Sequence, residues 1–245
     1  MFQIELAEHI FAIENSHSYV ERLCQNYKTE KYSADTIRVT AEEIVRENEN
    51  GRDWPLGYLE SLAIYRKICE KLLEENIILF HSSAIEIDGK AYLFTAPSGT
   101  GKSTHTRLWR ERFGNRVTMI NDDKPLIYIP EKQFNGKKRN DVIKVFGTPY
   151  AGKEGLQTNI SAPVSAIVIL SQAKENTIEK LDARRAYPML LNQTYRRNDR
   201  SGMMKTLELV GQLSKLPIYS FGCTISEEAV MLAYHTIVKP KEECK

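Results

Sequence analysis

Residues 91–103 constrain the fold of this chain more than any other stretch of its sequence. The run Ala91–Thr95 is short, apolar and rich in β-forming residues, so it predicts a buried strand. Gly99 and Gly101 follow, and they allow the backbone to curl with its N–H groups pointing inward. The sequence from Thr104 onward predicts a helix, whose N-terminus attracts anions. A strand, a glycine-rich loop and a helix in this order predict a phosphate-binding site.

The loop matches the P-loop pattern of nucleotide-binding proteins, with Ala96 in place of the first glycine. Lys102 is expected to reach the β- and γ-phosphates, and the Ser103 hydroxyl is expected to bind Mg²⁺. We therefore predict ATP and Mg²⁺ as ligands. The residues expected to hold the nucleotide are Ala96, Pro97, Ser98, Gly99, Thr100, Gly101, Lys102, Ser103 and Thr104. The alternative is an ordinary turn that has this sequence by chance.

Two adjacent carboxylates follow the next predicted strand, Arg116–Ile120, as Asp122 and Asp123. Phosphoryl transfer needs a carboxylate that holds the metal and a group that orients or deprotonates the acceptor. A pair of acids at a strand end predicts such a division of roles. The alternative is a turn in which Asn121 and Asp122 cap backbone amides.

Further polar residues are candidates for the same site. Ile77–Ile87 predicts a strand, and Asp88-Gly89 predicts a tight antiparallel hairpin into Lys90–Thr95. His81 on that strand is expected near the phosphates or the acceptor, unless it is a hydrogen-bonded structural residue. Lys153, in a second glycine-rich loop, is a candidate charge for the transferred group or an ordinary surface lysine. The sequence does not choose among the candidate transition-state cations Arg184, Arg185, Arg196, Arg197 and Arg200.

The order of predicted elements indicates an α/β fold with a mixed sheet, preceded by a small α+β region. We place the boundary near Glu75, with residues 1–75 as the N-terminal region and residues 76–245 as the nucleotide-binding domain. Phe2–Ile13 predicts one or two strands, and Tyr58–Glu75 predicts a helix. Thr40 and Glu43 predict a capping box. Val164–Leu170 predicts a strand, with Thr177–Leu181 as a candidate partner, and Ser226 is expected to cap a helix.

Composition excludes several classes of function. The net charge is +2, and no basic stripe with interleaved aromatic residues is present, so we expect no nucleic-acid partner. The apolar runs are too short for a membrane span, and the N-terminus does not resemble a signal peptide, so we expect no membrane association. The four cysteines are scattered without a CxxC pair, which favours reduced thiols and a cytoplasmic location.

The combination of His81, the sequence APSGTGKST and the double acid Asp122-Asp123 resembles the catalytic domain of the HPr kinase/phosphorylase family. The resemblance covers roughly residues 77–238. It implies a nucleotide-binding core akin to that of ATP-dependent phosphoenolpyruvate carboxykinase, and a kinase acting on a serine of a protein or peptide. It also implies that His81 lies near the reacting phosphate, that one of the two acids binds Mg²⁺ with Ser103, and that the other is the base. The resemblance leaves the order of the two acids open, and we assign the metal to Asp123 and the base to Asp122. It further implies that the chain can form homo-oligomers.

Two features depart from that family. Its acidic residue near positions 144–153 is missing here unless Glu154 replaces it. Its signature loop is also absent, so the resemblance does not extend to the reverse phosphorylase activity, which the sequence leaves open. Two other functions remain open. One is a small-molecule kinase on the same scaffold, and the other is a nucleotide-dependent binding or sensor module that transfers no phosphate.

Overall fold

A computed structural model describes residues 1–48, 51–130 and 142–239 of the chain. Within those ranges it has seven α-helices: α1 Ser18–Leu23, α2 Ala41–Arg46, α3 Leu56–Leu72, α4 Lys102–Phe113, α5 Ala183–Asn192, α6 Arg200–Leu213 and α7 Glu227–Ala233. The strands are β1 Phe2–Leu6, β2 His9–Glu14, β3 Thr36–Arg38, β4 Ile77–Leu79, β5 Ser83–Ile87, β6 Lys90–Thr95, β7 Val117–Asn121, β8 Leu126–Tyr128, β9 Lys144–Phe146, β10 Ser161–Gln172, β11 Thr177–Leu181 and β12 Ile218–Cys223. In the described part of the chain, no helix combines the length and apolar character needed to cross a bilayer.

The N-terminal elements form a small three-stranded sheet. β1 and β2 make an antiparallel hairpin whose two turn residues, Ala7 and Glu8, both have positive φ, which matches the twist of the paired strands. β3 pairs with β2 in parallel. The predicted capping box is confirmed, because the Thr40 side chain accepts from the Glu43 N–H while the Glu43 carboxylate accepts from the Thr40 N–H.

Helix α3 contains most of the predicted helix Tyr58–Glu75 and connects the two parts of the molecule. Its buried residues Ile64 and Ile68 belong to one apolar cluster with Phe11 of the small sheet. The same cluster includes Leu126 and Phe146 from strands of the large sheet. The core of the N-terminal region is therefore shared with the following strands, while the domain boundary near Glu75 stays a prediction.

The second sheet has nine strands and is mixed, as the sequence predicts. Its main path is β4-β8-β9-β10-β6-β5-β7, and β12 pairs with β10 and with β11. The long strand β10 runs parallel to both β6 and β12. The expected pairing of Thr177–Leu181 with Val164–Leu170 is wrong, because β11 pairs antiparallel with β12 instead.

Helices cover both faces of this sheet, because side chains of successive strand residues point to opposite faces. Ile167 and Ile169 of β10 pack in the same cluster as Leu190 of α5 and Leu209 of α6. The alternate residue Val168 packs in another cluster, with residues of α4 and α7. This layered arrangement confirms the α/β class and leaves the carboxyl ends of β6, β10 and β12 at one edge.

The single predicted strand Ile77–Ile87 is two strands in the structure. β4 pairs with β8, whereas β5 pairs with β6 and β7. Between them the backbone leaves the ladder, and the His81 N–H donates to the Gln193 carbonyl instead (2.7 Å). The predicted hairpin is confirmed, since β5 and β6 are antiparallel and both turn residues, Asp88 and Gly89, have positive φ.

Candidate active site

The loop between β6 and α4 contains two glycines with positive φ. Gly99 and Gly101 have φ values of +81° and +116°, which residues with a side chain rarely adopt. No atom lies within 4 Å of a Cβ built at either position, so the conformation and not crowding requires glycine. Helix α4 begins at Lys102 without a side-chain cap, and its first-turn N–H groups are therefore available to an anion.

Lys102 folds back over this loop. Its Nζ atom donates a hydrogen bond to the Ala96 carbonyl at the end of β6 (3.0 Å). Burial lowers the pKa of its ammonium group, and the nearby charge of Asp123 opposes that change. The lysine and the second acid of the predicted pair are thus electrostatic neighbours.

Asp122 and Asp123 occupy different environments although they are adjacent. Asp122 is 4% exposed, and its Oδ1 atom accepts a hydrogen bond from the Gly152 N–H (2.7 Å). Burial raises the pKa of the Asp122 carboxyl. Burial also acts to raise the pKa of Asp123, but the hydrogen bond with His81 and the charge of Lys124 bring it down to about 2. The structure therefore separates the two acids into a more basic and a more acidic group.

His81 lies beside Asp123, with its Nε2 atom 3.2 Å from the carboxylate Oδ1. The other ring nitrogen, Nδ1, lies 2.9 Å from the side-chain oxygen of Gln193. The hydroxyl of Thr95, the last residue of β6, donates to the His81 carbonyl (2.8 Å). His81 is therefore tied both to the carboxylate and to the strand that leads into the glycine loop.

Asn121 organises the turn that carries the two acids. Its side-chain oxygen accepts from the N–H groups of Asp123 (2.9 Å) and Lys124 (2.7 Å), while its amide nitrogen donates to the carbonyls of Thr148 and Tyr150. The capping alternative is thus correct for Asn121. It does not account for Asp122, whose carboxylate bonds to the Gly152 N–H of a separate loop.

Other candidates lie in less specific settings. Lys153 is exposed and lies next to Gly152. Glu154 is on the surface, with its carboxylate 3.3 Å from Arg110. Among the candidate arginines, Arg185 pairs with Glu179 and Arg197 with Glu74 and Asp199.

Sequence reasoning missed several residues that hold this site together. Lys124 places its Nζ atom 3.1 Å from Asp123 Oδ2, and its carbonyl accepts from the Tyr65 hydroxyl (2.7 Å). The Tyr65 ring stacks on Tyr150, with centroids 3.8 Å apart. Lys124 has a local signal, because it directly follows the two acids. Gln193 and Tyr65 have none, because they reach the site only through the tertiary fold.

The described residues contain no cluster of three or more His, Cys, Asp or Glu side chains suited to a metal ion. The predicted Mg²⁺ site uses one carboxylate and one hydroxyl, and it stays a prediction. Mg²⁺ commonly takes only one or two carboxylates from a protein and completes its shell with waters and substrate phosphates. The hydroxyl of Ser103 belongs to an exposed residue in the first turn of α4.

The family model of the SynChlorMet cassette protein ScmC matches residues 45–225, which include the glycine loop, both acids and His81. This chain belongs to that family. No curated protein gives a match. Among solved structures, the Hpr(Ser) kinase/phosphatase from Coxiella burnetii is similar, with a TM-score of 0.33 and 12% identity. The match covers 66% of this chain and 93% of that one.

A structural likeness at that level assigns no activity to this chain. The resemblance to HPr kinases that the sequence motifs indicate therefore stays a prediction, together with its ligands and acceptor. The family assignment itself states no substrate.

Proposed function

We propose that this chain is an ATP-dependent kinase that phosphorylates a serine hydroxyl of a protein or peptide. One observation carries the proposal. The uncapped N-terminus of α4 and the pair Asp122 and Asp123 lie at the same edge of the sheet, with Lys102 an electrostatic neighbour of Asp123. Phosphoryl transfer to a hydroxyl needs a phosphate site beside one group that holds the metal and another that accepts the proton, and this arrangement supports that assignment.

The residues present fit ATP and Mg²⁺. The loop N–H groups and the N-terminus of α4 would hold the phosphates, with Lys102 as their counter-charge. Ser103 and Asp123 would hold Mg²⁺, which neutralises charge on the phosphates when it is bound. Both carboxylate oxygens of Asp123 face cationic or potentially cationic groups, His81 and Lys124. A metal on Asp123 would therefore compete with His81 and Lys124 for the carboxylate charge.

Asp122 is the proposed base. Its raised pKa makes it a better proton acceptor than an ordinary aspartate, and its bond to the Gly152 N–H fixes the carboxylate. In the proposed reaction the serine oxygen forms a bond to the γ-phosphorus, and the bond from that phosphorus to the bridging oxygen of ADP breaks. The hydroxyl proton passes to Asp122, and ADP leaves.

The test uses the purified chain, γ-labelled ATP, Mg²⁺ and an extract of the source organism separated by dialysis into macromolecules and small molecules. We expect label on phosphoserine in the macromolecular fraction. The Asp122→Asn variant should lose it, and the Asp53→Asn variant, which changes an exposed aspartate elsewhere, should keep it. Label confined to the small-molecule fraction would show a small-molecule kinase instead. Binding of ATP without transfer to either fraction would show a sensor.

A further inference from the structure

Three aromatic side chains form an exposed cluster where helix α1 meets the start of α3. The Tyr58 ring makes an edge contact with the Tyr19 ring (centroids 6.4 Å apart) and a tilted contact with the Trp54 ring (5.1 Å). Tyr19 is 36% exposed and Trp54 is 41% exposed. We call these three residues the aromatic patch. Single exposed apolar residues are common, whereas tyrosine and tryptophan are enriched among the residues that carry most of the binding energy of protein interfaces.

Contacts between α1 and α3 hold the aromatic patch in place. Glu60 of α3 is fully buried, and its carboxylate accepts from the backbone N–H groups of Ser16 (2.6 Å) and His17 (2.8 Å), which lead into α1. Gly57 lies so close to α1 that a Cβ atom built there would be 2.9 Å from the Tyr19 Cβ atom. The backbone of Tyr19 is therefore fixed against α3 before any partner binds, which lowers the entropic cost of binding.

The aromatic patch lies close to the turn that carries the two acids. Tyr58 and Tyr65 are both in α3, seven residues apart, so they lie on one face of the helix and about 10 Å from each other along its axis. The Tyr65 hydroxyl donates to the Lys124 carbonyl (2.7 Å), and Lys124 directly follows Asp123. A peptide bound at the acids can therefore reach the aromatic patch.

Two cationic side chains lie near the aromatic patch. Burial and the neighbouring Tyr58 raise the pKa of Tyr19, while the charges of Arg22 and Lys124 act to lower it, so both cations are electrostatic neighbours of this ring. The faces of aromatic rings attract cations, but Arg22 and Lys124 oppose the approach of a further positive charge. The charges therefore favour a partner that combines an apolar or aromatic side chain with an acidic one.

We infer that the aromatic patch is the docking surface for the acceptor peptide, and that it binds an apolar side chain of that peptide a few residues away from the serine. The inference rests on the proposed function, because it takes the serine to react at Asp122. An extended chain advances about 3.3 Å per residue, so a distance of about 10 Å corresponds to roughly three to five residues. An acidic residue next to the apolar one faces Arg22.

The test measures transfer of labelled phosphate to the macromolecular fraction of the extract, over a dilution series of that fraction. A double variant, Tyr19→Ser with Trp54→Ser, removes two exposed rings and leaves the acids and the glycine loop unchanged. We expect its rate at low substrate to fall at least ~10-fold, while its rate at saturation and its Mg·ATP affinity stay the same, because only substrate binding is lost. Tyr32→Ser, at a tyrosine that is 80% exposed, is the matched control. Trp54→Phe, which keeps a ring, should retain most of the rate.

Competition by peptides tests the chemistry of the partner. Two pools of random peptides without serine are added to the extract assay, one rich in Phe and Glu and the other rich in Phe and Lys. We expect the pool with Glu to inhibit the wild-type chain more strongly than the pool with Lys. The same pool should inhibit the double variant less than it inhibits the wild type. Equal inhibition by the two pools, or none by either, would contradict the stated chemistry of the partner.

The outcomes separate the two proposals. If the wild-type chain transfers no label to macromolecules, the proposed function itself fails. If it does, and the double variant depends on substrate concentration as the wild type does, only the docking inference fails. Weaker Mg·ATP binding by the double variant would show that the aromatic patch supports the site structurally, which also overturns the inference. A wild-type dimer that becomes a monomer in the double variant, measured by light scattering, would show that a second copy of the chain covers the aromatic patch instead.

Discussion

The Nε2 atom of His81 lies 3.2 Å from the Oδ1 atom of Asp123, although 41 positions of sequence separate the two residues. The break between β4 and β5 makes this contact possible, because it releases His81 from the strand ladder. Lys124 occupies the other oxygen of Asp123 at 3.1 Å. The acid is thus held as an anion between two partners, while its neighbour Asp122 is buried and more basic.

The Lys102→Met variant should lose nucleotide-dependent stabilisation, because it keeps the apolar stem but removes the charge opposite the phosphates. For the wild-type chain, ligand at ~100 times its dissociation constant adds ~2.7 kcal/mol. In a chain of this size, that gain raises Tm by roughly 5–10 °C. Thermal unfolding with and without Mg·ATP measures the effect, and Lys90→Met at the exposed start of β6 serves as the control. An unchanged wild-type Tm in excess Mg·ATP would refute nucleotide binding.

Asn substitutions at the two acids should have different consequences. Asp123→Asn should weaken Mg·ATP binding and transfer together, because it removes the proposed metal ligand. Asp122→Asn should spare binding and lower the transfer rate by ~10²–10⁴-fold, the usual contribution of a general base. Affinity by calorimetry and transfer of labelled phosphate should be measured side by side. Two variants that both bind and transfer like the wild type would leave the acids with only a structural role.

Gly152→Ala should disturb the position of Asp122 without touching the nucleotide loop. A Cβ atom at residue 152 would lie 2.6 Å from the Asp122 Oδ2 atom, so the carboxylate or the loop must shift. Displacement of a catalytic group by about 1 Å costs up to ~10²-fold in rate. We expect slower transfer with Mg·ATP affinity unchanged. Gly155→Asn is the control in the same loop, because it has open space and a positive φ that asparagine tolerates. Equal rates for the two variants would contradict the proposed placement of Asp122.

His105 should make stability depend on pH in a defined window. Burial lowers its pKa from the ordinary value of 6.5 to about 4. Between these values the unfolded chain binds a proton that the folded chain does not, so the contribution of neutral His105 is complete above pH ~6.5. This contribution to the free energy of unfolding is lost as the pH falls toward 4. At ~1.4 kcal/mol per pKa unit, the loss is on the order of 3 kcal/mol.

Urea unfolding at pH 7 and pH 4.5 measures this contribution as a difference between the wild-type chain and His105→Phe. The wild type should lose more free energy of unfolding than the variant over this interval. Because the two proteins share all their other titrating groups, the contributions of those groups cancel in the difference. Parallel changes in the two proteins would show that His105 does not titrate with a depressed pKa.

The sequence by itself determined the local features of this protein. A short apolar run rich in β-forming residues predicted the strand that enters the loop, and Asp88-Gly89 predicted the hairpin. The Thr40 and Ser226 caps are present as expected. Gly99 and Gly101 indicated the backbone conformation of the loop. These features depend on residues close together in the chain, so composition and spacing are enough to specify them.

Only the tertiary structure decided how distant segments meet. The strand predicted over Ile77–Ile87 is broken because Phe80 and His81 find backbone partners at Pro125 and Gln193. β12 runs parallel to β10 and lies between β10 and β11, so β11 pairs with β12 and not with β10. The opposite pKa shifts of Asp122 and Asp123 arise from burial and from the hydrogen bond with His81, which lies far away in sequence, as well as from the adjacent Lys124. Burial and charge at a residue depend on everything packed around it, and spacing along the chain does not encode those neighbours.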